Sequence, residues 1–223
     1  MNALATTGCA IAGALAGVPI AAITYSVPPQ GRICVPRRWW HGAPARPMTV
    51  AAVSLLTGAA AGIVTGRLPP SPALPAFWLF AVLGVGLAII DLRRHRLPHA
   101  MTAALVVSCI LCFISAVALG GDPSQLLRAV AAGSITAFVL LILAFMLPGQ
   151  LGLGDIALAG AITLNLGWLS WETAALGMSG GLLLQGAVAA VLRLCTRSRS
   201  TGMIPMGPAL VAGWLVSVVL RSV

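Results

Sequence analysis

Eight apolar segments, parted by short breaks rich in proline, glycine and arginine, constrain this chain more than any other feature. They run approximately over 3–25, 49–66, 74–91, 99–120, 127–147, 155–171, 174–192 and 206–221. Crossing a bilayer takes about 17–25 helical residues, and in lipid every backbone polar group must be bonded within its own segment or a closed barrel. The expected fold is therefore all-α: a polytopic transmembrane helix bundle of about eight spans, built as a single integral membrane domain over residues 1–223. The segments at 49–66, 155–171 and 206–221 are marginal in length, and six spans suffice if two of these are re-entrant or interfacial. Only 8% of the residues are charged and the mean hydropathy is +1.02. A soluble chain carries about a quarter charged residues, so a soluble domain is excluded. Glycine and alanine recur in most segments, as close helix packing in lipid requires. The first segment has no basic residues before it and is expected to be a retained span, not a cleaved signal peptide.

All 13 basic residues are arginine, and the formal net charge is +9. A basic chain can signal nucleic acid, but here the arginines gather in short loops, which is a topology pattern. The expected partner is the lipid bilayer, with no nucleic acid. With the N-terminus outside, eight alternating spans put the loops at 26–48, 92–98, 148–154 and 193–205 inside. Ten arginines then lie inside, against Arg67, Arg128 and Arg221 outside. The basic loop 26–48 is expected to be cytoplasmic. Within it, residues 28–47 show no helical or strand period, and Trp39 and Trp40 beside arginines suit an interfacial anchor.

Four carboxylates remain: Asp91, Asp122, Asp155 and Glu172. An acid beside lipid is costly, so each one at a span end is a functional candidate. The predicted topology places Asp91 and Asp155 on the cytoplasmic face and the other two opposite. Asp91 ends an apolar run and opens Asp91-Leu92-Arg93-Arg94-His95-Arg96-Leu97-Pro98. The structural alternative pairs Asp91 with Arg94, although a carboxylate at a helix C-terminus meets an unfavourable dipole. Asp155 follows Gly152-Leu153-Gly154 and would serve equally as a helix N-cap after a glycine-rich turn. Ile204-Pro205-Met206-Gly207-Pro208 forms a rigid turn before the last span. His95 and His99 are read as interfacial residues. The five cysteines form no disulfide framework. Cys109 and Cys112 share a helix face inside an apolar segment, where packing is the simpler reading. No metal site and no cofactor is expected.

Taken in order, DLRRHRLP, GLGD and IPMGP resemble the type IV prepilin peptidases, the membrane-bound GxGD aspartic proteases. Met101-Thr102 after Pro98, and Leu166-Gly167-Trp168 after GLGD, resemble the same family. The likeness covers about residues 77–215, and a peptidase-like core is expected over 74–223. The resemblance implies that Asp91 and Asp155 are catalytic and that Gly152 and Gly154 give a substrate backbone room. The implied substrate is a prepilin-like protein with a short basic leader and an apolar N-terminal helix, cut at the cytoplasmic face of a bacterial-type inner membrane. Two departures stand out. The family commonly has Lys two residues after the second aspartate, where this chain has Ala157. Larger bifunctional members carry two CxxC pairs in the loop after their first span and also N-methylate the product. The corresponding loop here has only Cys34, so methyl transfer is not expected.

Two other readings compete. A proton-coupled transporter would relay protons through its carboxylates, but these should lie near the midplane, in repeated halves. Here both lie at span ends and no repeat is visible. A non-catalytic assembly factor of the same fold is the other, with Ala157 its best support.

Overall fold

A computed structural model describes residues 3–27, 36, 39–95, 97–147, 151–195 and 205–221. Every regular element among them is helical. The helices are α1 (Ala3–Ser26), α2 (Pro47–Arg67), α3 (Leu74–Arg94), α4 (His99–Ala118), α5 (Pro123–Met146), α6 (Leu153–Gly167), α7 (Trp171–Cys195) and α8 (Gly207–Leu220), with one short 3-10 turn at Trp39–His41. All eight expected segments are present. Six are long and apolar enough to cross a membrane, while α6 and α8 are shorter apolar helices. The protein is a multi-pass membrane protein.

The segment expected at 49–66 is not marginal, because its helix gains two residues by starting at Pro47 and one more by running to Arg67, 21 in all. Proline suits that first turn, where its missing N–H costs nothing. The loop at 26–48 is mostly outside the described residues. Its described part holds the Trp39–His41 turn, with both indoles exposed.

Small residues set the packing. Gly13 and Gly17 of α1 lie on α2, where an added Cβ would fall 2.6 Å from Ala61 Cβ and 2.5 Å from Ser54 Cα. The closest backbone approach is between α7 and α8: a Cβ on Gly213 would sit 2.6 Å from the Gly181 Cα and 2.7 Å from the Gly177 oxygen. Without a hydrophobic drive between helices in lipid, such contacts supply the dispersion that holds them. The core is aromatic near the ends of α4 and α6, where Phe113 stacks on Trp168 at 4.4 Å and meets Phe77 edge-on at 5.9 Å.

Two of the three arginines outside the predicted cytoplasmic loops bond to the carbonyl ends of the short helices. Arg128 on α5 donates to Gly167 O and Trp168 O, each at 2.7 Å, and to Leu169 O at 3.1 Å. Arg67 at the end of α2 donates to Val219 O at 3.3 Å. A helix end in or near lipid leaves carbonyls that need partners, and a cation there also meets the negative end of the dipole.

Candidate active site

The end of the bundle opposite these two arginines collects the three sequence motifs. Asp91 lies in the last turn of α3, almost fully buried. His95 ends that helix in the left-handed conformation (φ 53°), its N–H bonded to Asp91 O at 2.8 Å. Leu97 and Pro98 follow, both buried, and Pro98 takes the N-cap position of α4. Arg93 leaves the motif sideways, donating to Thr24 O at 3.0 Å and lying 3.5 Å from the Tyr25 ring centre. The alternative Asp91–Arg94 pair does not form: Asp91 bonds elsewhere, and the buried Nε of Arg94 has no hydrogen-bond partner.

The partner of Asp91 comes from the third motif. Gly207 N–H donates to Asp91 Oδ2 at 2.7 Å, across 116 residues of chain. A Cβ on Gly207 would fall 3.0 Å from that oxygen and 3.1 Å from Asp91 Cβ, tight enough that a larger residue would push the carboxylate aside. Pro208 then continues as an early residue of α8, where the absent N–H is no loss.

Asp155 enters from α6. It is not the N-cap, as the glycine-rich turn suggested; Gly152 takes that position, and Asp155 is the third residue of the helix. The carboxylate folds back over the turn, with Oδ2 3.0 Å from where a Gly152 Cβ would be. That is the geometry of an N3 acid reaching back to the helix start. Gly154 lies against Leu97 of the first motif, and a Cβ there would be 2.8 Å from Leu97 Cβ. This contact seats the start of α6 on the turn after Asp91. Asp91 and Asp155 therefore lie at the same end of the bundle, with the Leu97 turn and Gly207 packed between their helices.

The other acids stand apart. Asp122 caps α5 through Ser124 N–H at 2.9 Å, at the Arg128 end of the bundle, and Glu172 lies in the first turn of α7. Cys109 is buried in α4, as packing required, and Cys112 is half-buried beside it.

One buried polar residue was not anticipated. Asn165 on α6 is fully buried, and its Oδ1 accepts the Trp214 indole N–H of α8 at 2.9 Å. Its amide points to Ala76 O of α3 at 3.5 Å and Cys109 Sγ of α4 at 3.7 Å. The signal was available, since an asparagine inside the run IALAGAITLNLGW is costly in lipid for the same reason as an aspartate.

No curated protein and no solved structure matches the chain. Residues 77–195, more than half of it, match the type IV leader peptidase family, a span that begins in α3 and takes in both aspartates. The chain belongs to the type IV leader peptidase family.

Proposed function

We propose that this protein is a membrane aspartic endopeptidase that removes the short basic leader of prepilin-like proteins at the cytoplasmic face of the inner membrane. The observation that carries the proposal is the convergence of Asp91 and Asp155, 64 residues apart, at one end of the bundle, where Asp91 accepts from Gly207 N–H and the start of α6 packs on Leu97. Two facing carboxylates do not both ionise cheaply, so the pair holds one proton and titrates as a unit. The ionised member takes a proton from water as the water oxygen attacks the scissile carbonyl. The protonated member gives its proton to the oxyanion, and the leaving amine takes one as the C–N bond breaks. Gly152, exposed at the start of α6, leaves room for an extended substrate backbone, whereas Gly154 is taken up by the contact with Leu97. Both acids lie at helix ends, where a peptide at the membrane surface can reach them; a proton relay would want them at mid-depth.

The test is purified protein incubated with a prepilin-like substrate. Leader removal by the wild type, lost in Asp91→Asn and in Asp155→Asn, is the expected result. Near-normal cleavage by either well-folded variant would overturn the proposal in favour of an assembly role. Orientation has its own check: single cysteines at positions 37 and 197, in a cysteine-free background, should resist an impermeant thiol reagent in intact cells. Mass spectrometry of the processed substrate should show a free N-terminal amine, with no methyl increment.

A further inference from the structure

We infer that Asn165 is a positioning residue: through Trp214 it sets the register of α6 against α8, and so the placement of Asp155 relative to the Asp91–Gly207 pair. The inference rests on the cleavage reading above for its catalytic consequence, but its geometric half stands alone. A 15-residue helix is about 22 Å long, against about 30 Å of hydrocarbon. The long helices have ends that reach the interfaces, and these fix their depth. The two short ones do not, so protein contacts must fix theirs.

At one end those contacts are the arginines. Arg128 and Arg67 hold the carbonyl ends of α6 and α8 from two different neighbours, and neither bond relates the two helices to each other. Along their shared length, the Asn165–Trp214 bond is the one side-chain hydrogen bond between α6 and α8 among the described residues. It is fully buried, so water cannot replace it, and Trp214 is wedged against Phe80 of α3 at 4.6 Å. The remaining amide contacts of Asn165 reach α3 and α4. These four helices are the ones that carry Asp91, the Leu97–Pro98 turn, Asp155 and Gly207. Asn165 lies ten residues from Asp155 and Trp214 seven from Gly207, so a slip or rotation at the bond moves both ends of the site as rigid rods. A shift near 1 Å is enough to cost about a hundredfold in rate.

Three variants separate positioning from mere stability. Asn165→Leu strands the indole N–H, and Trp214→Phe strands the amide oxygen; each leaves a buried group unsatisfied and should lower the melting temperature. Combining them removes both orphans, so stability should largely return. If Asn165 only stabilises, kcat per folded molecule returns with it. If it positions, kcat of the double variant stays roughly ten- to a hundredfold down with KM unchanged, because the substrate contacts are intact. A second readout needs no activity. Spin labels at Leu92→Cys and Leu153→Cys, both exposed positions beside the two aspartates, report the spacing of the site. Cys9, Cys34, Cys112 and Cys195 are replaced by serine and the buried Cys109 is kept. The distance distribution should shift or broaden in the double variant. A distribution unchanged from the parent, or a double variant with kcat within about threefold of the parent's, a change small against the misplacement cost, overturns the inference. A parent that holds the spin-label geometry but never cleaves overturns the cleavage reading instead.

Discussion

Helices α6 and α7 follow one another across a three-residue turn and meet the membrane in opposite ways. In α7, 25 residues long, four are buried; in α6, 15 residues long, eleven are. The long helix is defined by lipid: it is apolar around its circumference, its length matches the bilayer, and its glycines at 180 and 186 face open space. Protein defines the short one. Surrounded by α3, α4, α5, α7 and α8, it need not span the hydrocarbon, and its ends are satisfied by side chains that a lipid-facing helix would not have. Helix α8 follows the same rule with 14 residues. The lesson is that Asp155 and Gly207 sit on helices whose position the bilayer does not dictate, while Asp91 comes from the long α3, so other residues must set the two short helices against it.

The sharpest way to break this comparison is at the acids. Asp91→Asn or Asp155→Asn, at the site end of the bundle, should lower kcat by about a thousandfold or more. Asp122→Asn and Glu172→Gln, both at the other end, should leave cleavage unchanged. If the proposed dyad acts as a unit, the double Asp91/Asp155 variant is no worse than either single one. Cleavage assays on matched amounts of folded protein read all five; equal losses at both ends would erase the distinction between the two regions.

The glycines sharpen it next. Gly213→Ala drives a methyl into the backbone of α7, 2.6 Å from Gly181 Cα. A backbone neighbour cannot rotate away, so the helices must part, at about 3 kcal/mol. Gly180→Ala and Gly186→Ala meet nothing within 4 Å. They should be neutral or stabilise by up to about 1 kcal/mol, the propensity of alanine over glycine. Thermal unfolding in detergent separates the two classes, and a harmless Gly213→Ala would mean that α7 and α8 are not in close contact.

Arg128→Met tests how α6 ends. It removes three charge-assisted hydrogen bonds to carbonyls that no other described side chain reaches, at about 2 kcal/mol. Arg128→Lys, a point charge without the fork geometry, should recover part of this. Hydrogen exchange of the last turn of α6 should rise in the Met variant while α7 is unaffected.

Much of this was legible in the sequence, and the part that was not has a single cause. Helix existence and boundaries followed from hydropathy and from Pro and Gly positions: the segment expected at 74–91 is α3 to within one turn, and 206–221 is α8 to within one residue at each end. Asp91 and Asp155 stood out because an acid in lipid is rare. What hydropathy could not show is which segments pack centrally. Two of those judged marginal for length, 155–171 and 206–221, prove to be the buried ones, and shortness was the clue. The contacts of Asn165, Arg128 and Gly207 join residues 49, 39 and 116 positions apart. No local pattern encodes such pairs, and each residue alone reads as a polar interruption, a boundary charge or a turn glycine.

The smallest expected effect is at Asp122, the cap of the lipid-facing α5. Ser124 bonds to its carboxylate through both hydroxyl and backbone N–H, and these bonds hold its pKa below the ordinary 3.8. The folded value is therefore the lower one. The cap contributes its full stability above pH 3.8 and loses it as the pH falls from there through the folded value, where the carboxylate protonates. Asp122→Ala should melt slightly below wild type at pH 7, with the gap narrowing as the pH falls below 3.8, and should cleave normally at neutral pH. The side chain is fully exposed, so salt and water weaken its electrostatic part, and the gap should also narrow in high salt. A gap that did not narrow at all as the pH fell below 3.8 would mean that Asp122 acts through packing, as the small residues of the buried helices do, and the contrast between the two regions would not extend to their caps.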